Sequence, residues 1–147
     1  PTTRMCLRWT AQHPPVGSRV LDYGCGSGIL AIGAAKFGAR EIVAVDIDPA
    51  AVESTRLNAS ANHVTLSEGL PDIARGEHDL VLANILATPL KVLAPLLCSH
   101  VRSGGHLVLA GILARQAEEL IEAYAPWVAL QVSDEEEGWI LMTAVKA

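Results

Sequence analysis

The feature that most constrains the fold is the stretch Val20–Leu30, which reads VLDYGCGSGIL. Apolar residues lead through an acid into glycines at alternate positions, and a helical pattern follows. This order is typical of a buried parallel strand that enters a tight loop and then a helix. Glycines allow positive φ angles and close approach of a ligand to the backbone. The helix N-terminus presents free N–H groups to the same place, so the stretch predicts a small-molecule-binding loop.

The glycine spacing distinguishes between classes of ligand. The dinucleotide fingerprint has glycines at its first, third and sixth positions, whereas Ile29 is the sixth residue here. Asp22, two residues before the first glycine, would repel a pyrophosphate and attract a positively charged ligand. S-adenosylmethionine carries a sulfonium and an ammonium and no phosphate. We therefore interpret Asp22, Gly24 and Gly26 as S-adenosylmethionine-binding candidates; the alternative is a strand–helix turn without a ligand.

A second acid follows a second apolar run, Ile42–Val45. Asp46 lies 22 residues after Gly24, an offset at which an acid accepts hydrogen bonds from ribose hydroxyls in doubly wound folds. Asp48 precedes Pro49 and has the position of a helix N-cap. We therefore assign Asp46 to the ligand and Asp48 to the helix.

Composition excludes several function classes. The 147 residues predict one domain, 1–147, and half of them are apolar with few aromatics, as a helix-covered parallel sheet requires. A net charge of −5 gives no support for direct nucleic-acid binding. We expect no membrane span, because the sequence has no long apolar run. We expect no metal site, because the histidines lack the spacing of metal ligands. Three cysteines without a C-x-x-C pair indicate reduced thiols. We expect a cytoplasmic monomer.

Apolar runs predict five strands that alternate with helices, with the third at Val64–Leu66 and a turn at Ser103–Gly105 before the fifth. The alternating residues from Val128 to Val145 then predict a hairpin around the acidic run Asp134–Gly138, which we interpret as a solvated loop. The predicted fold class is α/β: a doubly wound, Rossmann-like, seven-stranded sheet, mostly parallel with one antiparallel edge strand.

Smaller assignments concern helix ends and one loop. Thr2 or Thr3 is placed to cap the first helix, and Asn62 to end the third helix in the left-handed conformation. Pro95 must kink or restart the helix that follows the fourth strand. Leu70, in the turn after the third strand, is a further cofactor-binding candidate.

These features together resemble the class I S-adenosylmethionine-dependent methyltransferases. The closer resemblance is to the bacterial methyltransferases that modify the eleventh protein of the large ribosomal subunit. It covers essentially the whole chain and rests on Pro1–Thr3, Asp22–Ile32, Asp46–Pro49, Ala83–Leu86 and Ser103–Gly105. The specific part is Ala83-Asn84-Ile85-Leu86, because related glutamine and adenine methyltransferases carry Asn-Pro-Pro-aromatic there and share only Asn84.

The resemblance implies trimethylation of lysine ε-amines and of the N-terminal α-amine on that ribosomal protein, which is the expected partner. It implies that Thr3, Gly24, Asp46 and Asn84 touch the cofactor or the reacting amine, with Asn84 as the catalytic candidate. Asn84 has an alternative role as a cap for the following helix. The family's Phe-Gly-Thr-Gly-x-His loop and N-terminal recognition domain are absent from this chain, so we expect the catalytic domain alone.

Other functions remain open at this point. Within the class, they are a lysine methyltransferase for another protein, such as a flavoprotein subunit, and a small-molecule methyltransferase. From a different class, a nicotinamide-dependent oxidoreductase is disfavoured by Ile29 and Asp22. A non-catalytic cofactor-binding remnant is the last alternative.

Overall fold

Seven strands form one sheet in a computed structural model that describes residues 1–147. The strands are β1 (Arg19–Tyr23), β2 (Glu41–Val45), β3 (Ser67–Gly69), β4 (His78–Asn84), β5 (Val101–Leu113), β6 (Gln131–Glu136) and β7 (Trp139–Val145). Their order across the sheet is β3-β2-β1-β4-β5-β7-β6. All neighbours pair in parallel except β7, which runs antiparallel to both β5 and β6. The predicted fold class is confirmed, and the β6–β7 hairpin forms its antiparallel edge.

Six helices cover the sheet. They are α1 (Thr2–Gln12), α2 (Ile29–Lys36), α3 (Pro49–Ala61), α4 (Ala87–Val92), α5 (Ala94–Ser99) and α6 (Ala117–Tyr124), with 3₁₀ turns at Pro71–Ile73 and Ala114–Gln116. The restart expected at Pro95 is confirmed, since α4 ends at Val92 and α5 begins at Ala94.

The core has two parts because successive strand residues point to opposite faces. One buried cluster joins the sheet to α4, α5 and α6, and the other joins it to α1 and α2. In β1, Leu21 and Tyr23 belong to the first cluster and Val20 to the second. The strand order reverses between β1 and β4, and ligands of open α/β sheets bind at the carboxyl ends of the strands at such a point.

The third strand lies later than predicted. Val64–Leu66 is not a strand, because its first residue is hydrogen-bonded to the end of α3. The Val64 N–H donates to the Ala59 carbonyl at 2.9 Å. His63, with φ of 56°, adopts the left-handed conformation expected of Asn62, whose φ is −97°.

Ser103–Gly105 is a bulge inside β5 and not a turn. The pairing with β4 shifts from His78–Val101 to Leu80–His106, which leaves extra residues on β5. The reason is that the chain end beyond β7 satisfies this backbone: the Gly104 N–H donates to the Lys146 carbonyl, and the Lys146 N–H donates to the Gly105 carbonyl at 3.0 Å.

The interpretation of the acidic run as a solvated loop is wrong for most of its length. Asp134 and Glu136 lie in β6 and form ion pairs with Arg8 and Arg4 of α1, and the Arg8 Nη2 to Asp134 Oδ2 distance is 2.7 Å. Only Glu137 and Gly138 form the turn, with φ of 52° and 83°. The hairpin therefore holds α1 against the sheet edge. None of the helices is both long and apolar enough to cross a bilayer.

Candidate functional site

The loop after β1 is held by β2. The backbone N–H groups of Gly24 and Cys25 both donate to the Val45 carbonyl, at 2.8 and 2.9 Å. Gly26 has φ of 55°, and a Cβ built there would have no atom within 4 Å. Hydrogen bonds to β2 thus hold the loop on one side, and the space at Gly26 is open, as the glycine pattern predicts for a ligand-binding loop.

Asp46 ties this loop to the next one. Its Oδ2 accepts the Gly26 N–H and its Oδ1 accepts the Asp48 N–H, each at 3.0 Å. Each carboxylate oxygen has a second acceptor position, so the half-buried group still offers two. Asp48 caps α3 by accepting the Ala50 N–H at 2.9 Å, which confirms its assignment as the N-cap.

A cavity of about 250 Å³ opens between these loops and α4. We call it the loop cavity; its lining is mostly apolar, with one charged residue, and consists of Tyr23, Gly24, Asp46, Ile47, Ile85, Pro89 and Leu93. Ile47, directly after Asp46, is 82% exposed although it is a large apolar side chain. The cavity combines a carboxylate with surfaces that suit a flat apolar ring.

Asn84 ends β4 and meets α1. Its Nδ2 donates to the Thr3 Oγ1 at 3.4 Å, across 81 positions of sequence, and its Oδ1 has no hydrogen-bond partner in the chain. The predicted threonine cap is wrong, since the N-cap of α1 is Pro1 without a side-chain bond. The N-cap of α4 is Leu86, also without a side-chain bond, so Asn84 is not a helix cap.

A second cavity, of about 340 Å³, shares the lining residue Ile85 with the loop cavity. We call it the helix cavity because α1 begins at its rim; it is lined by Pro1, Thr2, Asn84, Ile85, Leu86, Gly111 and Trp139. None of these side chains is an acid, a histidine or a lysine. A Cβ on Gly111, whose φ is 87°, would lie 2.2 Å from the Ile85 carbonyl oxygen. Only glycine therefore lets β5 pass under the loop that carries Asn84.

Four sequence candidates line neither cavity: Thr3, which contacts Asn84, and Asp22, Gly26 and Leu70. Asp22 is only 1% exposed and points into the protein: its Oδ2 accepts the Ala31 N–H of α2 at 3.2 Å, and its Oδ1 has no partner. Burial raises the pKa of Asp22 to about 7. Gly26 forms the loop through its backbone. Leu70 is 46% exposed and precedes the turn Pro71–Ile73.

Sequence reasoning missed most of the apolar lining. Ile47, Pro89 and Trp139 carry no pattern that distinguishes them from core residues. Gly111 did carry a signal, since a glycine inside an apolar strand indicates a close backbone approach. Groups of three or more His, Cys, Asp or Glu side chains that could hold a metal ion do not occur in the structure.

The family model described as "Ribosomal protein L11 methyltransferase (PrmA)" matches residues 1–147. A curated protein of Polaromonas sp. with that name is 74% identical over 147 residues, which cover 98% of this chain and 49% of the relative. A protein of Bordetella parapertussis with the same name is 57% identical over 148 residues and matches 100% of this chain and 48% of its own length. The chain thus spans about half the length of the curated relatives it matches.

Solved structures agree with the family match. The ribosomal protein L11 methylase of Lactobacillus delbrueckii subsp. bulgaricus superposes with a TM-score of 0.89 at 30% identity, over 98% of this chain and 78% of that one. The magnesium protoporphyrin IX methyltransferase of Synechocystis, solved with bound SAM, superposes with a TM-score of 0.80 at 18% identity, over 99% and 78% of the two chains. The second likeness concerns the fold alone.

Proposed function

The chain belongs to the ribosomal protein L11 methyltransferase (PrmA) family, and we propose that it is an S-adenosylmethionine-dependent catalytic domain that methylates amines of that ribosomal protein. The amines are lysine ε-amines and the N-terminal α-amine. The observation that carries the proposal is the free Oδ1 of Asn84, which lines the helix cavity next to Ile85, a residue that also lines the loop cavity.

The loop cavity fits the adenosine part of the cofactor. Its apolar walls suit the base, and the remaining acceptor positions of Asp46 suit the two ribose hydroxyls. The open space over Gly26 lets the rest of the molecule approach the backbone near the start of α2. When bound, S-adenosylmethionine supplies a methyl group on an electrophilic sulfonium.

The helix cavity fits the substrate amine. An amine must be neutral to act as a nucleophile, and the reference pKa of lysine is about 10.4. A cavity without acidic side chains favours the neutral form, since it offers no carboxylate to stabilise the ammonium. The Asn84 Oδ1 accepts an N–H of the amine and so directs its lone pair. With no general base in the lining, positioning supplies the catalysis, and effective molarities of ~10⁵ M are known for well-oriented reactions.

Thr3 and Leu70 assist the two ligands indirectly: Thr3 positions Asn84, and Leu70 contacts the cofactor. The Thr3 Oγ1 accepts an N–H from the Asn84 Nδ2 and so holds the amide in place. Leu70 is exposed at the carboxyl end of β3, on the side of the sheet where Asp46 lies, and bounds the cofactor from there. The protein would act as a cytoplasmic monomer.

Methyl incorporation tests the proposal. Purified ribosomal protein L11 is incubated with S-adenosylmethionine and this chain, with the full-length Polaromonas relative as the positive control, and the methylated positions are mapped by mass spectrometry. We expect methylated lysines and a methylated N-terminus, at a lower rate than the longer relative gives. Methylation of other proteins or small molecules in preference to this substrate would favour the alternative substrates instead.

The Asn84→Ala variant tests the catalytic role. Because orientation matters most in the transition state, we expect kcat to fall about 100-fold while cofactor affinity changes less than about threefold. Asn62→Ala removes an exposed amide outside both cavities and should leave kcat unchanged. A normal kcat in Asn84→Ala would remove Asn84 from the mechanism.

A further inference from the structure

The loop that follows β1 is held by α3 as well as by β2. We call residues 24–28 the glycine loop. Thr55, in the middle of α3, is fully buried, and its hydroxyl donates to the Gly26 carbonyl at 3.0 Å. A Cβ built on Gly28, whose φ is 86°, would lie 2.8 Å from the Thr55 Cγ2 and 3.2 Å from its Cα. The glycine loop therefore packs directly against Thr55.

Cys25, inside the glycine loop, completes the hydrogen bonds of the Thr55 hydroxyl. Its Sγ lies 3.3 Å from the Thr55 Oγ1. Burial raises the pKa of Cys25 to about 11, so the thiol keeps its proton. A hydroxyl has a single proton to donate. Because Thr55 gives that proton to the Gly26 carbonyl, the thiol donates to the Thr55 oxygen, and both partners of the hydroxyl belong to the glycine loop.

These contacts fix the peptide groups on both sides of Ser27. A trans peptide is planar, and its C=O and N–H point in opposite directions. The Gly26 carbonyl faces Thr55, so the Ser27 N–H points away from Thr55, and it has no acceptor in the chain. One turn further along α3, the Asn58 Nδ2 donates to the Ser27 carbonyl at 2.8 Å. The glycine loop thus holds an unpaired N–H in a fixed direction just before α2 begins.

We propose that Thr55 and Asn58 are positioning residues, which hold Ser27 so that its N–H donates to the carboxylate at the amino-acid end of S-adenosylmethionine. The inference rests on the proposed function, because it assumes that the glycine loop binds this cofactor. A carboxylate is the group of that ligand that a free N–H recognises best, since hydrogen bonds to an ionised acceptor are stronger than those to a neutral one.

Loss of the Thr55 hydroxyl changes the direction of this donor. The Gly26 carbonyl accepts no other hydrogen bond in the chain. Without the hydroxyl it faces an apolar side chain, and turning toward water restores its hydrogen bonding. Glycine at position 26 offers little steric resistance to that rotation. The Ser27 N–H turns with the carbonyl, because the peptide group is rigid.

Calorimetric titration with two ligands tests the proposal. S-adenosylhomocysteine carries the amino-acid end, whereas 5′-methylthioadenosine keeps the nucleoside and the sulfur but lacks the carboxylate. We expect Thr55→Val, which is similar in shape, to weaken S-adenosylhomocysteine binding about tenfold and 5′-methylthioadenosine binding less than about twofold. Thr55→Ser keeps the hydroxyl and should restore the wild-type affinity for S-adenosylhomocysteine. Ser60→Ala, which removes an exposed hydroxyl from the same helix, is the matched control and should change neither affinity.

Thermal unfolding without ligand separates positioning from stability. If Thr55 serves stability alone, Thr55→Val lowers the melting temperature and weakens both ligands by the same factor, or leaves both affinities unchanged; either result overturns the proposal. If Thr55→Val does not fold, Asn58→Ala replaces it, because Asn58 is exposed. It should weaken S-adenosylhomocysteine by about threefold and leave 5′-methylthioadenosine unchanged, and an equal effect on the two ligands overturns the proposal.

The outcomes distinguish this inference from the proposed function. Wild-type binding of both ligands, with no selective effect of the variants, removes the role of Thr55 and Asn58 and leaves the cofactor assignment standing. Failure of the wild type to bind either ligand overturns the cofactor assignment and this inference together.

Discussion

Polar side chains at the two ends of the central sheet differ in whether they have hydrogen-bond partners. At the amino-terminal end, Asp79 accepts the Arg19 N–H at 2.8 Å and pairs with Arg102, while the Arg19 side chain lies 3.2 Å from Glu41. At the carboxyl end, the Oδ1 atoms of Asp22 and Asn84 have no partner. Except for His78, these polar groups at the first end satisfy one another, whereas Asn84 at the second end keeps an acceptor free beside a cavity.

The amino-terminal end also has a groove, so concavity alone does not identify the site. A cavity of about 300 Å³ lies beside Trp9, His13 and His106, and the His13 ring stacks on Trp9 with 4.3 Å between centroids. Asp79 and Arg102 in its lining already pair with each other. The charged pair in this lining is therefore already satisfied, and cavity size alone does not distinguish the two ends.

The largest expected effect comes from Gly111→Ala, which alters the carboxyl end. The new Cβ would meet the Ile85 carbonyl oxygen at 2.2 Å and would force a strained positive φ. We expect the free energy of unfolding to fall by about 3 kcal/mol or more, measured by urea denaturation. Gly138→Ala is the matched control, since its φ is 83° with no atom within 4 Å, and should cost only about 1 kcal/mol. Equal losses would show that Ile85 is free to move.

Asp46→Ala and Asp48→Ala separate ligand binding from stability within one loop. Hydrogen bonds to charged groups contribute about 1.5–3 kcal/mol, so Asp46→Ala should weaken S-adenosylhomocysteine binding by about tenfold to a hundredfold in calorimetry. It should also lower the melting temperature, because Gly26 and Asp48 lose their acceptor. Asp48→Ala should cost about 1 kcal/mol of stability and little affinity. Exchanged phenotypes would contradict the division between ligand and cap.

A smaller effect is expected from His78, the exception at the amino-terminal end. Its ring is buried with both nitrogens unpaired, and burial lowers its pKa, so the folded protein holds it neutral. The unfolded chain binds a proton near pH 6.5 and the folded one only at lower pH, so stability is lost as pH falls below about 6.5. His78→Leu should reduce this loss of stability between pH 8 and pH 5, measured by thermal unfolding. An unchanged pH profile would mean that His78 does not contribute to acid sensitivity.

Much of the fold follows from local pattern. The apolar runs around Val20, Ile42 and Leu80 are buried parallel strands, and Asp48 is the N-cap of α3. These positions could be predicted because residues close in sequence determine their structure. Asp134 and Glu136 could not be assigned locally, since their partners Arg4 and Arg8 lie more than a hundred residues away in sequence. Val64–Leu66 has strand propensity, but the hydrogen bond from the Val64 N–H to the Ala59 carbonyl holds its start against the end of α3.

The site could be predicted in part. Strand-end acids and glycines indicate which loops face a ligand, since the carboxyl ends of parallel strands share one edge. The partner of Asn84 could not be predicted, because Thr3 reaches it only through the packing of α1 on the sheet. For Asp22, the sequence suggests a negative charge facing the ligand, whereas the structure buries the group and raises its pKa.

A crystal structure of this chain grown with S-adenosylhomocysteine tests the contrast between the two ends most directly. We expect the ligand in the loop cavity, with ribose hydroxyls on Asp46 and the sulfur side open toward Asn84. Crystals grown with NAD serve as the control and should show no ligand there. S-adenosylhomocysteine bound in the groove of Trp9, His13 and His106, or NAD bound in the loop cavity, would contradict the account.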